Sequence, residues 1–259
     1  MTETKSPALV VENLAKGLCD ASAHLVAEGE PGTVLYSGGL DSSLVAYLLA
    51  RSAPVTLLAI GFSNAADLAA AESGARALGL PLTSRILDGP SVDASLERWR
   101  GSLAGLEGSD FSVTLGLALA LETARTRGIA CGQGADELFL GYAHYRGLTS
   151  VAAATRSSSD LRHVIEVSWP AARAIARELG CSLESPFLDE RFRREATETP
   201  IELRMPDGEP KRLLRDIARQ VGLPADLASR RKRAFQYGSG IQTHLRGRRA
   251  KKPRAGLNP

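Results

Sequence analysis

The sequence predicts an α/β protein, a doubly wound parallel sheet followed by a helical C-terminal part. Three observations carry that expectation. Apolar strand runs alternate with helical patterns over roughly the first 140 residues. Two glycine turns, at Gly38-Gly39 and at Gly132 to Gly134, each follow a strand and open a helix start bearing an aspartate. Beyond Tyr145 the strand signals fade and helical segments take over.

Taken in order, residues 7–28 read as an opening helix whose broken apolar stripe is Leu9, Leu14, Leu18 and Leu25. Glu30-Pro31-Gly32 is a turn, residues 33–36 a short strand and residues 41–51 a helix. Residues 55–62 form a nearly unbroken apolar run, suited to a strand buried on both faces. An alanine-rich helix over residues 65–78 is closed by Gly79. A strand over 82–87 and helices over 92–103 and 113–127 follow, the last stopped by Gly128, and residues 129–132 are a strand end. Later helices are expected over 161–167, 171–179, 191–195 and 211–221, with the small, polar stretch 152–160 as a mobile loop. The expected division is an N-terminal helix (1–29), a nucleotide-binding core (30–150), a helical substrate and closing region (151–245) and a basic tail without fixed structure (246–259).

Bulk properties narrow the class. The 259 residues, 44% hydrophobic and 24% charged, are those of an ordinary globular protein. No apolar run reaches the roughly 20 residues that a membrane-spanning helix needs. Met1 to Pro7 is polar with both charge signs, unlike a secretory signal. Cys19, Cys131 and Cys181 are far apart and lack metal-ligand spacing, which fits a reducing cytoplasmic setting without structural zinc. The net charge of +3 is uneven, with basic clusters at 230–233 and 246–254. Such clusters can meet phosphates or RNA. The terminal one has no interleaved aromatics to stack bases, so RNA is not the favoured partner.

Val34-Leu35-Tyr36-Ser37-Gly38-Gly39-Leu40-Asp41-Ser42-Ser43 is a strand, a glycine turn and the first turn of a helix. A phosphate suits that junction, because the first helical amides have no internal partner and the helix dipole is positive there. Gly38 and Gly39 let an oxyanion approach the backbone, and Ser37, Ser42 and Ser43 add hydroxyl donors. Asp41 can hold Mg2+ against the phosphates. No Gly-Lys-Ser/Thr follows, so this is not a Walker A loop. It resembles the PP-loop of ATP pyrophosphatases, which implies cleavage of ATP to AMP and pyrophosphate.

Ala130-Cys131-Gly132-Gln133-Gly134-Ala135-Asp136-Glu137-Leu138-Phe139-Leu140-Gly141-Tyr142 repeats the plan. Turns at the carboxyl edge of a parallel sheet are where ligands bind, so Asp136 can face Asp41 as a second magnesium ligand. The plainer alternative is that Asp136 and Glu137 complement the helix dipole. Together the two motifs resemble the synthetase domain of asparagine synthetase and its relatives, including β-lactam synthetase. Leu57 to Phe62, Ser185-Pro186-Phe187-Leu188-Asp189, Pro210-Lys211-Arg212-Leu213-Leu214-Arg215, and Arg230-Arg231-Lys232 with Ala234-Phe235-Gln236 resemble further family segments in the same order.

That resemblance implies an adenine nucleotide alpha hydrolase-like PP-loop fold and places ATP and Mg2+ at the site. By it, Leu35, Ile60, Cys131 and Gly132 line the adenosine, and Ser37, Gly38, Gly39, Asp41, Ser42 and Ser43 hold pyrophosphate. Asp41 and Asp136 hold the magnesium. Lys211 stabilises the phosphoryl group in flight and Lys232 the departing pyrophosphate. Gln133 and Glu137, in the second motif, complete the catalytic candidates. Two departures stand out. Gln133 replaces a family glutamate, and an amide can orient but cannot take a proton. Leu140 replaces a family glycine.

Only about 30 residues precede the PP-loop, so the expected nitrogen source is free ammonia or a separate glutaminase subunit. The leading reading is a ligase that adenylates a small carboxylate, aspartate by default, and then amidates it. The alternatives are a PP-loop enzyme acting on a tRNA or other carbonyl, and a catalytically silent nucleotide-binding subunit. Tyr142 and Tyr145 read as packing, the four histidines as ordinary, and Asp189 as either a substrate-side carboxylate or a helix cap. The region around Asp110, Ser112 and residues 152–169 shapes the acceptor pocket and has no readable code.

Overall fold

A computed structural model describes residues 6–29, 32–230 and 239–251. Five strands, β1 (Thr33–Leu35), β2 (Thr56–Phe62), β3 (Leu82–Leu87), β4 (Gly128–Ala130) and β5 (Ser182–Glu184), form one sheet in the order β3-β2-β1-β4-β5. Every pairing is parallel, with Val34 opposite both Leu57 and Ala130, and Ala130 opposite Glu184. The chain winds outward from β1 to β3, then returns to lay β4 on the other side of β1. The crevice left where the order reverses lies beyond the carboxyl ends of β1 and β4, and both glycine turns emerge there.

The helices are α1 (Pro7–Gly29), α2 (Leu40–Ala50), α3 (Ala66–Leu78), α4 (Gly89–Arg98), α5 (Gly108–Leu121) and α6 (Ala135–Leu138). They continue as α7 (Ser150–His163), α8 (Trp169–Glu178), α9 (Glu190–Glu198), α10 (Ile201–Arg204), α11 (Arg212–Gln220), α12 (Ala225–Ala228) and α13 (Ile241–Lys251). One face of the sheet is covered by α1, α2, α3, α9 and α11 around Leu14, Leu18, Leu44, Leu49, Phe192 and Ile217. The other is covered by α4, α5 and α8 around Trp99, Leu115, Leu119 and Ile175. Apolar cover on both sides is what the run Leu57-Leu58-Ala59-Ile60 requires, and all four residues are buried. Among the described residues no helix is long and apolar enough to cross a membrane, and the three cysteines are unpaired.

Several expectations are corrected. Residues 152–160 are not a loop but the body of α7. Thr149 caps its start, and Ala153, Ser157 and Leu161 bury one face at four-residue spacing, so tertiary contact overrides the weak helix propensity of the serines. Helix α4 begins at Gly89 rather than residue 92, because Asp88 and Ser91 form a reciprocal capping box ahead of it. The region after residue 150 supplies β5 to the same sheet, and α1 packs on α2, α9 and α11. The basic tail is helical as far as Lys251.

Candidate active site

Strand β1 ends at Leu35, and Tyr36 N–H still donates to Leu58 O at 2.8 Å before the backbone turns away at Gly38 (φ 70°). A Cβ on Gly38 would lie 2.4 Å from the Ala70 carbonyl, so glycine is required for the loop to lie against α3. Ser42 Oγ sits 3.3 Å from Ser37 Oγ and donates to Gly39 O, which folds the loop over the start of α2. Arg230 Nη1 donates to Gly38 O at 2.9 Å and to Ala70 O at 3.0 Å, pinning loop and helix with one guanidinium.

The second turn packs against the first. Gly134 is left-handed (φ 93°) where Leu188 closes over it, and Ser185 Oγ donates to Gln133 O at 2.7 Å. Between the turns stands Lys211. Its ammonium lies 2.5 Å from Asp41 and 2.6 Å from Asp136, and the residue is 2% exposed. Burial alone would push the Lys211 pKa down, but the Asp136 and Asp41 charges outweigh it and hold the pKa above the ordinary lysine value. Lys211 is also in the left-handed region (φ 58°), as is Leu140 (φ 51°), and Lys211 N–H donates to Phe139 O at 3.0 Å. Strain of this kind persists where the surroundings over-determine it, commonly at functional sites. Gly141 makes the juxtaposition possible. A Cβ there would come within 1.9 Å of Asp136 Oδ1 and 2.3 Å of Lys211 Cε.

These groups share one cavity. Its apolar end is Leu35, Leu58, Ile60, Val113, Leu117 and Cys131. Its polar end brings Ser37, Asp41, Ser42, Gln133, Asp136 and Lys211 together with Tyr142, Arg215 and Arg230. Burial drives the Cys131 thiol up to about 12, so it serves as neutral wall and not as a nucleophile. Gly39 and Gly132 also line the space, whereas Ser43 is fully buried behind it, bonded to Tyr36 Oη at 3.0 Å. Glu137 likewise stands behind the wall. It is 2% exposed and accepts the Tyr142 hydroxyl, so it supports Tyr142, which forms part of the wall rather than packing beneath it. Asp189 is a helix cap, accepting Phe192 N–H at 2.9 Å. Lys232 lies outside the described residues.

Arginine 204 has no signal in the sequence. It is 3% exposed, and its guanidinium donates to the carbonyls of Glu137 and Leu138 and to Ser157 Oγ, satisfying the end of α6. Burial lowers its pKa to about 10. Ser168 and Trp169, also in the cavity wall, carry no sequence signal either.

The asparagine synthase family model matches residues 13–179 and 171–253. The chain belongs to the asparagine synthase family. A Methanocaldococcus jannaschii protein provisionally named asparagine synthetase (glutamine-hydrolyzing) 1 is 30% identical over 246 residues, covering 80% of this chain and 45% of that protein. The asparagine synthetase (glutamine-hydrolyzing) of Gallus gallus is 32% identical over 229 residues, covering 83% of this chain and 41% of its own length. The chain thus spans less than half the length of these curated relatives. A solved NH3-dependent NAD synthetase from Campylobacter jejuni covers 96% of this chain and 89% of its own, with 18% identity and a TM-score of 0.45.

Proposed function

We propose that this chain activates a small carboxylate by adenylation and then converts it to an amide, releasing pyrophosphate and AMP, with aspartate as the default acceptor. The observation that carries this reading is the buried Lys211 ammonium held between Asp41 and Asp136 at the mouth of the PP-loop. Two carboxylates close enough to share one cation, with serine hydroxyls beside them, are a hard-oxygen set that suits Mg2+. No cluster of three or more histidine, cysteine, aspartate or glutamate side chains that could hold a metal ion occurs among the described residues. When bound, the metal neutralises phosphate charge and aligns the leaving group, and Asp41 and Asp136 are the residues that would hold it.

The chain's own groups do the remaining work. Leu35, Ile60 and Cys131 offer an apolar seat for adenosine. The free amides at the start of α2, with Ser37 and Ser42, bind the β and γ phosphates. A carboxylate oxygen then attacks the α phosphorus and pyrophosphate departs. Lys211, released from its carboxylates as the nucleotide binds, neutralises the charge that builds on the phosphoryl oxygens. A nitrogen, from ammonia or a separate glutaminase subunit, attacks the acyl carbon and displaces AMP. Gln133 orients the reactants through its amide and takes no proton.

The test is product analysis with purified protein, ATP, Mg2+, ammonium and aspartate. Equimolar pyrophosphate, AMP and asparagine, all abolished in Asp41→Ala, are the expected result. Absence of AMP with aspartate would remove aspartate as acceptor, and absence with every carboxylate tried would sink the ligase reading.

A further inference from the structure

The cavity has a second polar region that the adenylation chemistry does not use. Between α7 and α8 the backbone runs as a π-helix over Val164–Ser168. Such segments are uncommon and frequently mark functional sites, because the wider turn re-aims side chains. Here the turn buries Val164 in the core and sets Ser168 and Trp169 in the cavity wall. Ser168 is 6% exposed, and its Oγ has no hydrogen-bond partner among the described residues. A buried hydroxyl without a partner is unfavourable unless a ligand completes it.

Facing this turn is the first part of α5, which contributes Ser109, Asp110 and Val113 to the same wall. Asp110 is anchored by His163, the last residue of α7, with Nε2 2.7 Å from Oδ2. Among the described residues, the cations of the wall are Lys211, Arg215 and Arg230. Lys211 serves Asp41 and Asp136, Arg230 the PP-loop backbone, and Arg215 lies one helical turn past Lys211 and donates to Pro210 O. None of the three comes from α5 or the π turn. These elements bring one carboxylate, serine hydroxyls and an indole, a set that complements a positively charged nitrogen and repels an anion.

We propose that Asp110, Ser168 and Trp169 form a subsite for a primary ammonium group. It is either the amine carried by the acceptor carboxylate or the ammonium that supplies the amide nitrogen. In the first case an amino acid is selected over the matching acid without an amine. In the second the subsite concentrates the nitrogen donor beside the acyl-adenylate. The inference rests on the ligase reading of the cavity, and its test is arranged so that the two fail separately.

The protein is loaded with Mg2+ and a non-hydrolysable ATP analogue, whose own Kd reports on the nucleotide reading. Calorimetry then measures ammonium chloride, methylammonium chloride, and the pairs aspartate and succinate, glutamate and glutarate, β-alanine and propionate. The expected result is that Asp110→Asn weakens at least one nitrogen cation or amine-bearing acid by about tenfold or more, and that Ser168→Ala weakens the same ligand less. The analogue's Kd should stay within about twofold in both variants. Weakening confined to the amine-bearing acids, with each falling to the level of its partner, assigns the acceptor amine. Weakening of ammonium and methylammonium assigns the nitrogen donor. The inference is overturned if no nitrogen cation or amine-bearing acid binds the wild-type protein more tightly than Asp110→Asn. It is equally overturned if Ser168→Ala weakens the nucleotide analogue instead, which would give this wall to the ribose.

Discussion

The two walls of the cavity are built in opposite ways. The wall proposed to bind phosphate is made of turns held by backbone geometry, with Gly38 and Gly134 left-handed, Lys211 and Leu140 strained, and the buried Lys211 ammonium between Asp41 and Asp136 at the centre. The wall proposed to take the acceptor is made of helix faces, and its polar groups are replaceable side chains, namely Asp110 on α5, Ser168 on the π turn and Trp169 at the head of α8. A wall fixed by backbone tolerates almost no change, since a new atom displaces every group it carries. A wall fixed by side chains can change its ligand without moving the scaffold. The first suits a reaction common to a family, and the second suits the choice of acceptor.

The largest effect that would sharpen this contrast is Lys211→Met. It removes the ammonium that pairs with both Asp41 and Asp136. AMP release should fall by about 10²–10³-fold, the cost of losing one preorganised charge-stabilising group. Single-turnover AMP formation at saturating ATP measures it. A loss below tenfold would place Lys211 outside the reaction.

Next comes Gly141→Ala. Its Cβ would collide with Asp136 and with the Lys211 side chain, whereas a Cβ on Gly101 meets nothing within 4 Å. Gly141→Ala should cost about 1–3 kcal/mol of stability. A displacement of roughly 1 Å at the reacting groups should lower turnover by about 10²-fold. Gly101→Ala should leave both unchanged. Denaturant unfolding alongside the AMP assay reads the pair, and equal behaviour of the two variants would contradict the close approach at Gly141.

The same contrast explains what was legible in the sequence. Phosphate chemistry imposes a local pattern, since glycines, serines and an aspartate must be contiguous at one strand-to-helix junction. Ser37 to Ser42 and Gly132 to Asp136 were therefore readable as candidates, both turns contribute to one cavity, and the alternating strands predicted the parallel sheet. Lys211 was readable by its family segment, though nothing local predicts its left-handed backbone. Ser168, Trp169 and Arg204 were not readable, because each acts on groups brought close only by tertiary folding. Arg204 reaches Leu138 across 66 positions. Residues 152–160 read as a loop for a related reason. Their helix is set by Ser157 Oγ donating to Glu137 O and by the fit of Ala153 and Leu161, not by intrinsic propensity. The short β5 was missed because three residues in an edge position carry little periodicity.

A smaller effect is expected from Arg204→Met. The guanidinium supports the phosphate wall from behind, through the carbonyls that close α6. Losing charged hydrogen bonds to buried acceptors should cost about 2–3 kcal/mol. The methionine fills most of the space, so the loss reflects hydrogen bonds more than a cavity. If stability falls while the nucleotide analogue's Kd holds, Arg204 supports the fold and not the placement of the second turn. If Kd rises as well, Arg204 is a positioning residue for the phosphate wall.

The smallest effect concerns the apolar end between the walls, where Cys131 lies 4% exposed. Burial raises its thiol from 9.0 to about 12, which means the folded state holds the proton more tightly than the unfolded chain. The sign follows from linkage. The stabilisation is fully present below the unfolded thiol's pKa and is lost as pH rises from about 9 towards 12. Over that window the slope contributed by one proton is at most about 1.4 kcal/mol per pH unit. Cys131→Ala should flatten the alkaline fall in unfolding free energy by up to that amount and leave stability at pH 7 little changed. At pH 8 iodoacetamide should modify the half-buried Cys19 and Cys181 well before Cys131. Rapid alkylation of Cys131 would mean that water and charge reach the adenosine end freely. The phosphate wall would then be rigid without being dry, and Lys211 would act through water at high dielectric, where a single ammonium contributes far less.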